Sequence, residues 1–238
     1  LFPHPVKELA DFLKGFGMHI NYDAAHVAGL IAGNQFQDPL KEGADTMTMS
    51  THKTLFGPQG GLVLGSEKHA EVIKKATFPG LTSSHHIHHM AAKAVTFAEA
   101  LEFGKDYAKQ VLKNAKALAE ALSASGFKVL GEKRGFTKSH QIAVNVLDYA
   151  DGGKVEADLE KANIIVNRQL IPGDIKAGRN YFHPSGIRLG VSEITRLGMK
   201  ESEMKEVASL IKQVVIEKKD PKKLVSKVKS FRKDFQKV

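Results

Sequence analysis

Two stretches decide the reading: Asp23-Ala24-Ala25-His26, and Ser50-Thr51-His52-Lys53-Thr54-Leu55 running on into Gly57-Pro58-Gln59-Gly60-Gly61. Each follows a run that reads as a β-strand, Met18 to Asp23 before the first and Thr46 to Ser50 before the second. Both stretches therefore stand at the carboxyl end of a strand, where α/β folds gather their ligands. Asp23 offers a carboxylate there and Lys53 an amine, and the glycines after Lys53 permit a tight turn. Ala24 and Ala25 are small enough for a flat ring to lie close to the backbone, and His26 stands within reach of the same ring.

Outward from these stretches, helix and strand alternate. Val6 to Gly15 and Glu67 to Ala76 read as helices and Gly61 to Leu64 as a further strand. Such alternation predicts a mostly parallel sheet. His86 to Ser123 reads as a long alanine-rich helical stretch with a break near Gly104. Beyond it the pattern restarts. Strands are expected at Phe127 to Leu130, Gln141 to Leu147, Ile164 to Val166 and Ile187 to Gly190, with helices at Lys154 to Ala162 and Glu201 to Lys218. The fold class expected is α/β, with residues 1–104 belonging to a large domain and residues 105–238 forming a small C-terminal α/β domain.

Composition excludes several classes of function. No run approaches the ~18 apolar residues of a membrane span, and the absence of cysteine removes disulfides, thiolate metal sites and cysteine nucleophiles. That suits a cytoplasmic protein. The net charge of +9 is concentrated: from Lys218 onward nine basic residues face Asp220 and Asp234, which accounts for +7. Leu224, Val228, Phe231 and Phe235 recur there at helical spacing, so the tail reads as a docked terminal helix with a solvated lysine face. Nucleic acid is not the expected partner, because the rest of the chain lacks a basic surface.

An amine to hold an aldehyde and a carboxylate to keep a ring nitrogen protonated are what pyridoxal phosphate requires. Alone, Asp23 reads as a turn or cap and Lys53 as a solvated side chain. Together, D-x-A-H and then S-T-H-K-T-L-x-G-P-x-G-G make a far more specific pattern. With Phe78-Pro79-Gly80 and Ser185-Gly186-Ile187-Arg188-Leu189-Gly190, it resembles the serine hydroxymethyltransferase family, closest to its archaeal branch.

The resemblance implies the aminotransferase-like fold of pyridoxal-phosphate enzymes (fold type I), with residues 1–104 as the C-terminal part of the large cofactor-binding domain. It implies Lys53 as the Schiff-base lysine, Asp23 as partner of the ring nitrogen, and His26 against the ring. Ser50, His52 and Gly80 are implied cofactor contacts, and Arg188 the ligand of the substrate carboxylate. A guanidinium fork suits a planar carboxylate, whereas a strand-end arginine by itself more often makes a surface ion pair. The implied reaction interconverts serine and glycine, passing a one-carbon unit to a reduced pterin of tetrahydrofolate or tetrahydromethanopterin type. The implied assembly is a homodimer with shared sites. The family's acid–base glutamate and most of its phosphate contacts are expected in a segment preceding Leu1.

The sequence also departs from the family pattern. Ser50 stands where threonine is usual, Gln59 where arginine is frequent, and Leu81-Thr82-Ser83-Ser84 replaces a glycine-rich run. Thr82, Ser83 and Ser84 remain weak candidates for phosphate contacts. His85, His86, His88 and His89 could face one another on a helix, but no nearby cysteine or carboxylate completes a ligand set, so no metal is expected there. Rival readings are a threonine aldolase, a cysteine desulfurase-like lyase, and an inactive remnant with a nucleic-acid-binding tail. Glutamine at position 26 and a mobile cysteine would mark the desulfurase, and this chain has neither.

Overall fold

The first sheet has three strands in the order β1-β2-β3: β1 at Asn21–Asp23, β2 at Thr46–Ser50 and β3 at Gly61–Gly65. The computed structural model in which it is seen describes residues 1 to 236. Strands β1 and β2 run parallel with Asp23 opposite Thr48, and the Ala24 N–H donates to the Thr48 carbonyl at 2.8 Å. Both strands therefore end on the same edge. Met47, Met49 and Tyr22 turn into a core with Ala24, Ala28 and Leu55. Tyr22 donates from its hydroxyl to Gln37 Oε1 at 3.1 Å. Burial first, then the charges of Glu42 and Asp23, push its pKa up to about 12, so it stays a neutral donor.

The expectation of a mostly parallel sheet is corrected at β3, which pairs antiparallel with β2. The residues between Ser50 and Gly61 turn the chain back without a crossover helix, and such a connection joins antiparallel neighbours. Gly60 makes the reversal possible, since its φ of +154° is one that L side chains rarely adopt.

Helices α1 (Val6–Leu13), α2 (Ala28–Ala32), α3 (Pro39–Glu42) and α4 (Ala70–Lys75) complete the first hundred residues, with an irregular turn at Ala76–Leu81. The start of α3 is written in the sequence: Asp38 accepts from the Lys41 N–H, and Pro39 takes the first helical position, where its missing N–H costs nothing. Helix α5 then runs unbroken over Ile87–Ala124, which corrects the expected break at Gly104. Gly104 is a packing residue. A Cβ added at Gly33, just past α2, would lie 2.6 Å from the Gly104 carbonyl oxygen and 2.5 Å from the Ala108 Cβ, so small residues on both sides let α2 approach α5.

The chain divides into two compact units, Pro3–Lys109 and the part from Gln110 onward with Leu1 and Phe2. The division falls inside α5. The second unit has an antiparallel sheet in the order β4-β5-β7-β6, with β4 at Lys128–Val129, β5 at Gln141–Asn145, β6 at Asn167–Gln169 and β7 at Gly186–Gly190. Its helices are α6 (Gly152–Lys161), α7 (Ser192–Arg196), α8 (Glu201–Val215) and α9 (Pro221–Lys233). Ile142, Val144, Ile187, Met204 and Ile211 fill the core, together with the stripe Val111, Ala115, Leu118, Leu122 of α5. Each such aliphatic side chain contributes about 1.5–3 kcal/mol on burial.

The strand expected at Ile164 to Val166 forms instead at Asn167–Gln169. Asn163 takes a left-handed φ of 62° and the Ile164 N–H closes back on the Leu159 carbonyl, so these residues finish α6 before pairing can begin. Helix α9 packs against α6 and α8 with Leu224 buried, and Lys227 of the same helix pairs with Glu206 at 2.8 Å. Among the described residues no helix is long and apolar enough to cross a membrane.

Candidate active site

Asp23 ends β1 and Ser50 ends the neighbouring parallel strand β2, so the two polar stretches singled out above leave the sheet side by side. Asp23 is exposed, and its Oδ1 accepts from the Ala25 N–H at 2.8 Å. That bond fixes the carboxyl group and leaves Oδ2 without a hydrogen-bond partner among the described residues. Ala24, fully buried, seats the segment against the sheet.

The loop that carries Lys53 is knit by its own backbone. Thr51, also fully buried, donates from Oγ1 to the Pro58 carbonyl at 2.7 Å, while its carbonyl accepts from Gly57 N–H at 2.7 Å and its N–H donates to the Gly60 carbonyl at 3.0 Å. His52 Nδ1 accepts a long bond from the Gly60 N–H at 3.4 Å. Gly57 is required by close approach, because a Cβ there would lie 2.7 Å from the Thr51 carbonyl oxygen. On this fixed backbone the Lys53 side chain is part-buried, and its ammonium has no acceptor or carboxylate partner among the described residues. A half-buried, unpaired amine is uncommon, because lysines that lose water usually gain a partner.

Thr54 was not singled out by the sequence, yet it joins the two stretches. Its hydroxyl donates to the His26 carbonyl at 2.8 Å and accepts from the Gly29 N–H at 3.0 Å. The turn that carries His26 and the start of α2 are thereby clamped to the residue following Lys53. The only trace in the sequence is the small residue at 29: a Cβ on Gly29 would lie 2.0 Å from the Thr54 carbonyl oxygen.

Asp23, His26, Ser50, His52 and Lys53 thus share one unit. Gly80 belongs to the same unit and lies exposed in the turn at Ala76–Leu81. Arg188 belongs to the other unit, part-buried in β7 opposite Ala143 and Asn167. Its Nη2 donates to Asn167 Oδ1 at 3.2 Å, and no carboxylate pairs with it among the described residues. The rings of His86, His88 and His89 stand together with centroids 4.4–5.5 Å apart. Burial lowers the His89 pKa below the ordinary histidine value, and the nearby His88, His86 and Lys93 lower it further.

The profile of the serine hydroxymethyltransferase family matches residues 4–211. The chain belongs to that family. The serine hydroxymethyltransferase of Nitrosopumilus maritimus (strain SCM1) is 87% identical across the whole chain, and that of Cenarchaeum symbiosum (strain A) 81%. The chain spans 54% of the length of each. A solved structure, the L-threonine transaldolase from Pseudomonas fluorescens in its internal aldimine state, superposes with a TM-score of 0.89 at 34% identity. It covers 99% of this chain, which covers 53% of the transaldolase. The fold is therefore that of the fold type I pyridoxal-phosphate enzymes, and the cofactor of the serine hydroxymethyltransferase family is pyridoxal phosphate.

Proposed function

We propose that this chain carries part of the active site of a serine hydroxymethyltransferase that interconverts serine and glycine and passes the one-carbon unit to a reduced pterin. One observation carries the reading: the part-buried, unpaired amine of Lys53 stands in the loop that follows β2, and the half-free carboxylate of Asp23 ends the neighbouring parallel strand β1. The residues fit pyridoxal phosphate, since an unpartnered amine, an unpartnered carboxylate oxygen and the small Ala24 and Ala25 stand on one sheet edge.

Pyridoxal phosphate, when bound, supplies a conjugated ring able to accept the electron pair left on a substrate's α-carbon. Lys53 would hold it through Nζ, and Asp23 would keep a proton on its ring nitrogen with the oxygen that the Ala25 N–H leaves unused. His26, Ser50, His52 and Gly80 would complete the cofactor contacts contributed by this chain. Arg188, with no carboxylate of its own to answer, would bind the substrate carboxylate through its fork and so orient the α-carbon bonds. The carrier is a tetrahydrofolate or tetrahydromethanopterin type of pterin, the assembly a homodimer with shared sites, and the location the cytoplasm.

Arg188 separates this reading from a structural one. Arg188→Ala removes the fork, and Arg188→Lys keeps the charge without the bidentate geometry. Both variants should weaken serine and glycine binding at least about tenfold, the scale of a lost charge-assisted hydrogen bond. Isothermal titration beside a melting curve checks this. A lowered melting temperature with unchanged affinity would assign Arg188 to the fold.

The likeness to the L-threonine transaldolase favours threonine cleavage as a second reading. Turnover of serine that depends on added tetrahydrofolate supports the transferase. Threonine cleavage that exceeds it, with no response to the pterin, supports the other.

A further inference from the structure

We propose that His19, Asp45 and His69 form a binding site for a divalent first-row transition metal ion, for which zinc is the natural probe. These residues are far apart in sequence, yet their ligand atoms all lie within 4.8 Å of one another. His69 Nε2 is 3.3 Å from Asp45 Oδ1, and His19 Nδ1 is 3.9 Å from Asp45 Oδ2. Ligands around a tetrahedral zinc with bonds of about 2.0–2.1 Å stand about 3.3 Å apart, so the widest pair must close by as much as about 1.5 Å, a movement open to the half-exposed His19 ring. Two imidazoles and a carboxylate are a donor set that such ions favour over magnesium or calcium.

The hydrogen bonds behind His19 carry the argument further. The Thr46 hydroxyl donates its one proton to Asn21 Oδ1 at 2.9 Å. Its contact with His19 Nε2, also 2.9 Å, must then be donated by the ring. In the neutral ring this places the proton on Nε2 and leaves Nδ1 as a bare lone pair facing the Asp45 carboxylate. A lone pair and an anion so placed repel each other until a proton or a metal ion stands between them. A histidine that donates its outer N–H to a fixed acceptor while presenting the other nitrogen is also the usual arrangement of a metal ligand.

Asp45 is built to stay charged. Its Oδ2 accepts from the Ile20 N–H at 3.0 Å and its Oδ1 from Lys68 Nζ at 3.0 Å. The Ile20 bond first, then Lys68, hold its carboxyl well below the usual carboxylate range. The Lys68 side chain is mostly exposed and on a flexible stem, so it can withdraw when a divalent ion takes the Oδ1 position. His69 and Asp45 are each about one-fifth exposed (22% and 21%), which leaves a path for entry.

The placement suggests what the ion does. His19 precedes β1, Asp45 precedes β2, and His69 follows β3, so the ion would tie all three strands at the end opposite Asp23 and Ser50. Binding only the folded form, it would raise stability with concentration.

The test uses the purified, metal-stripped protein dialysed against buffered zinc, with the bound metal counted and the melting temperature followed. About one equivalent should bind and raise the melting temperature. His69→Ala and His19→Ala should each lose that equivalent, whereas His86→Ala with His88→Ala should keep it. Thr46→Val leaves all three ligands in place but removes the acceptor behind His19, and should weaken binding about tenfold or more. Retention of zinc by both single variants, loss of it in the His86→Ala, His88→Ala protein, or no zinc on the parent protein would each overturn the proposal.

Discussion

Asp23→Asn is expected to lower turnover about a hundred- to a thousandfold, the range seen when one charge-stabilising group is removed from a preorganised site. The substitution isolates charge from geometry. Oδ1 of Asp23 accepts from the Ala25 N–H, and the amide oxygen of an asparagine can accept the same bond, so the segment before His26 keeps its conformation. The second oxygen becomes an NH2, which cannot hold a proton on a ring nitrogen. Cofactor binding should therefore survive, because Lys53 is untouched, while kcat falls with little change in KM. Turnover within about threefold of the parent would remove Asp23 from the assigned role.

Gly29→Ala is expected to cost about 3 kcal/mol, the upper part of the range for overpacking, and to disturb the lysine loop with it. The added methyl would lie 2.0 Å from the Thr54 carbonyl oxygen, 2.3 Å from its carbon and 2.8 Å from the Leu55 nitrogen. All three are backbone atoms, so no side chain can swing aside. Relief requires α2 and the Lys53 loop to separate, which breaks the two bonds of the Thr54 hydroxyl as well. Gly61→Ala is the control, since its Cβ would make an ordinary contact 3.6 Å from the Met49 carbonyl oxygen. Urea unfolding should show a large loss for Gly29→Ala and almost none for Gly61→Ala. Equal midpoints for the two variants would mean that α2 and the loop are not in close contact.

What could be read from the sequence was local. Strand β2 was legible at Thr46–Ser50 because apolar alternation and the polar stop after it coincide. The lysine motif and its glycines fixed the family and with it the fold class. Where the structure departs from the sequence pattern, a different cause acts each time. Gly104 looked like a helix break because glycine disfavours helices, but the close approach of Gly33 outweighs about 1 kcal/mol of propensity. Strand β6 begins at polar Asn167 rather than in the apolar run Ile164 to Val166, because the Ile164 N–H is used in closing α6. The direction of β3 depends on a turn geometry that composition does not encode. The Thr54 clamp and the grouping of His19, Asp45 and His69 were invisible for a simpler reason. Their partners lie more than twenty residues away, and only the packing of the sheet brings them together.

The central claim is that Lys53 is the amine that carries the cofactor, and borohydride reduction tests it most directly. The protein, loaded with pyridoxal phosphate and reduced, should lose its yellow colour and keep the cofactor covalently through denaturation. Peptide mapping should then find the pyridoxyl group on Lys53, and Lys53→Ala should take up none. A stoichiometric label on any other lysine, or a Lys53→Ala protein labelled as fully as the parent, would contradict the account.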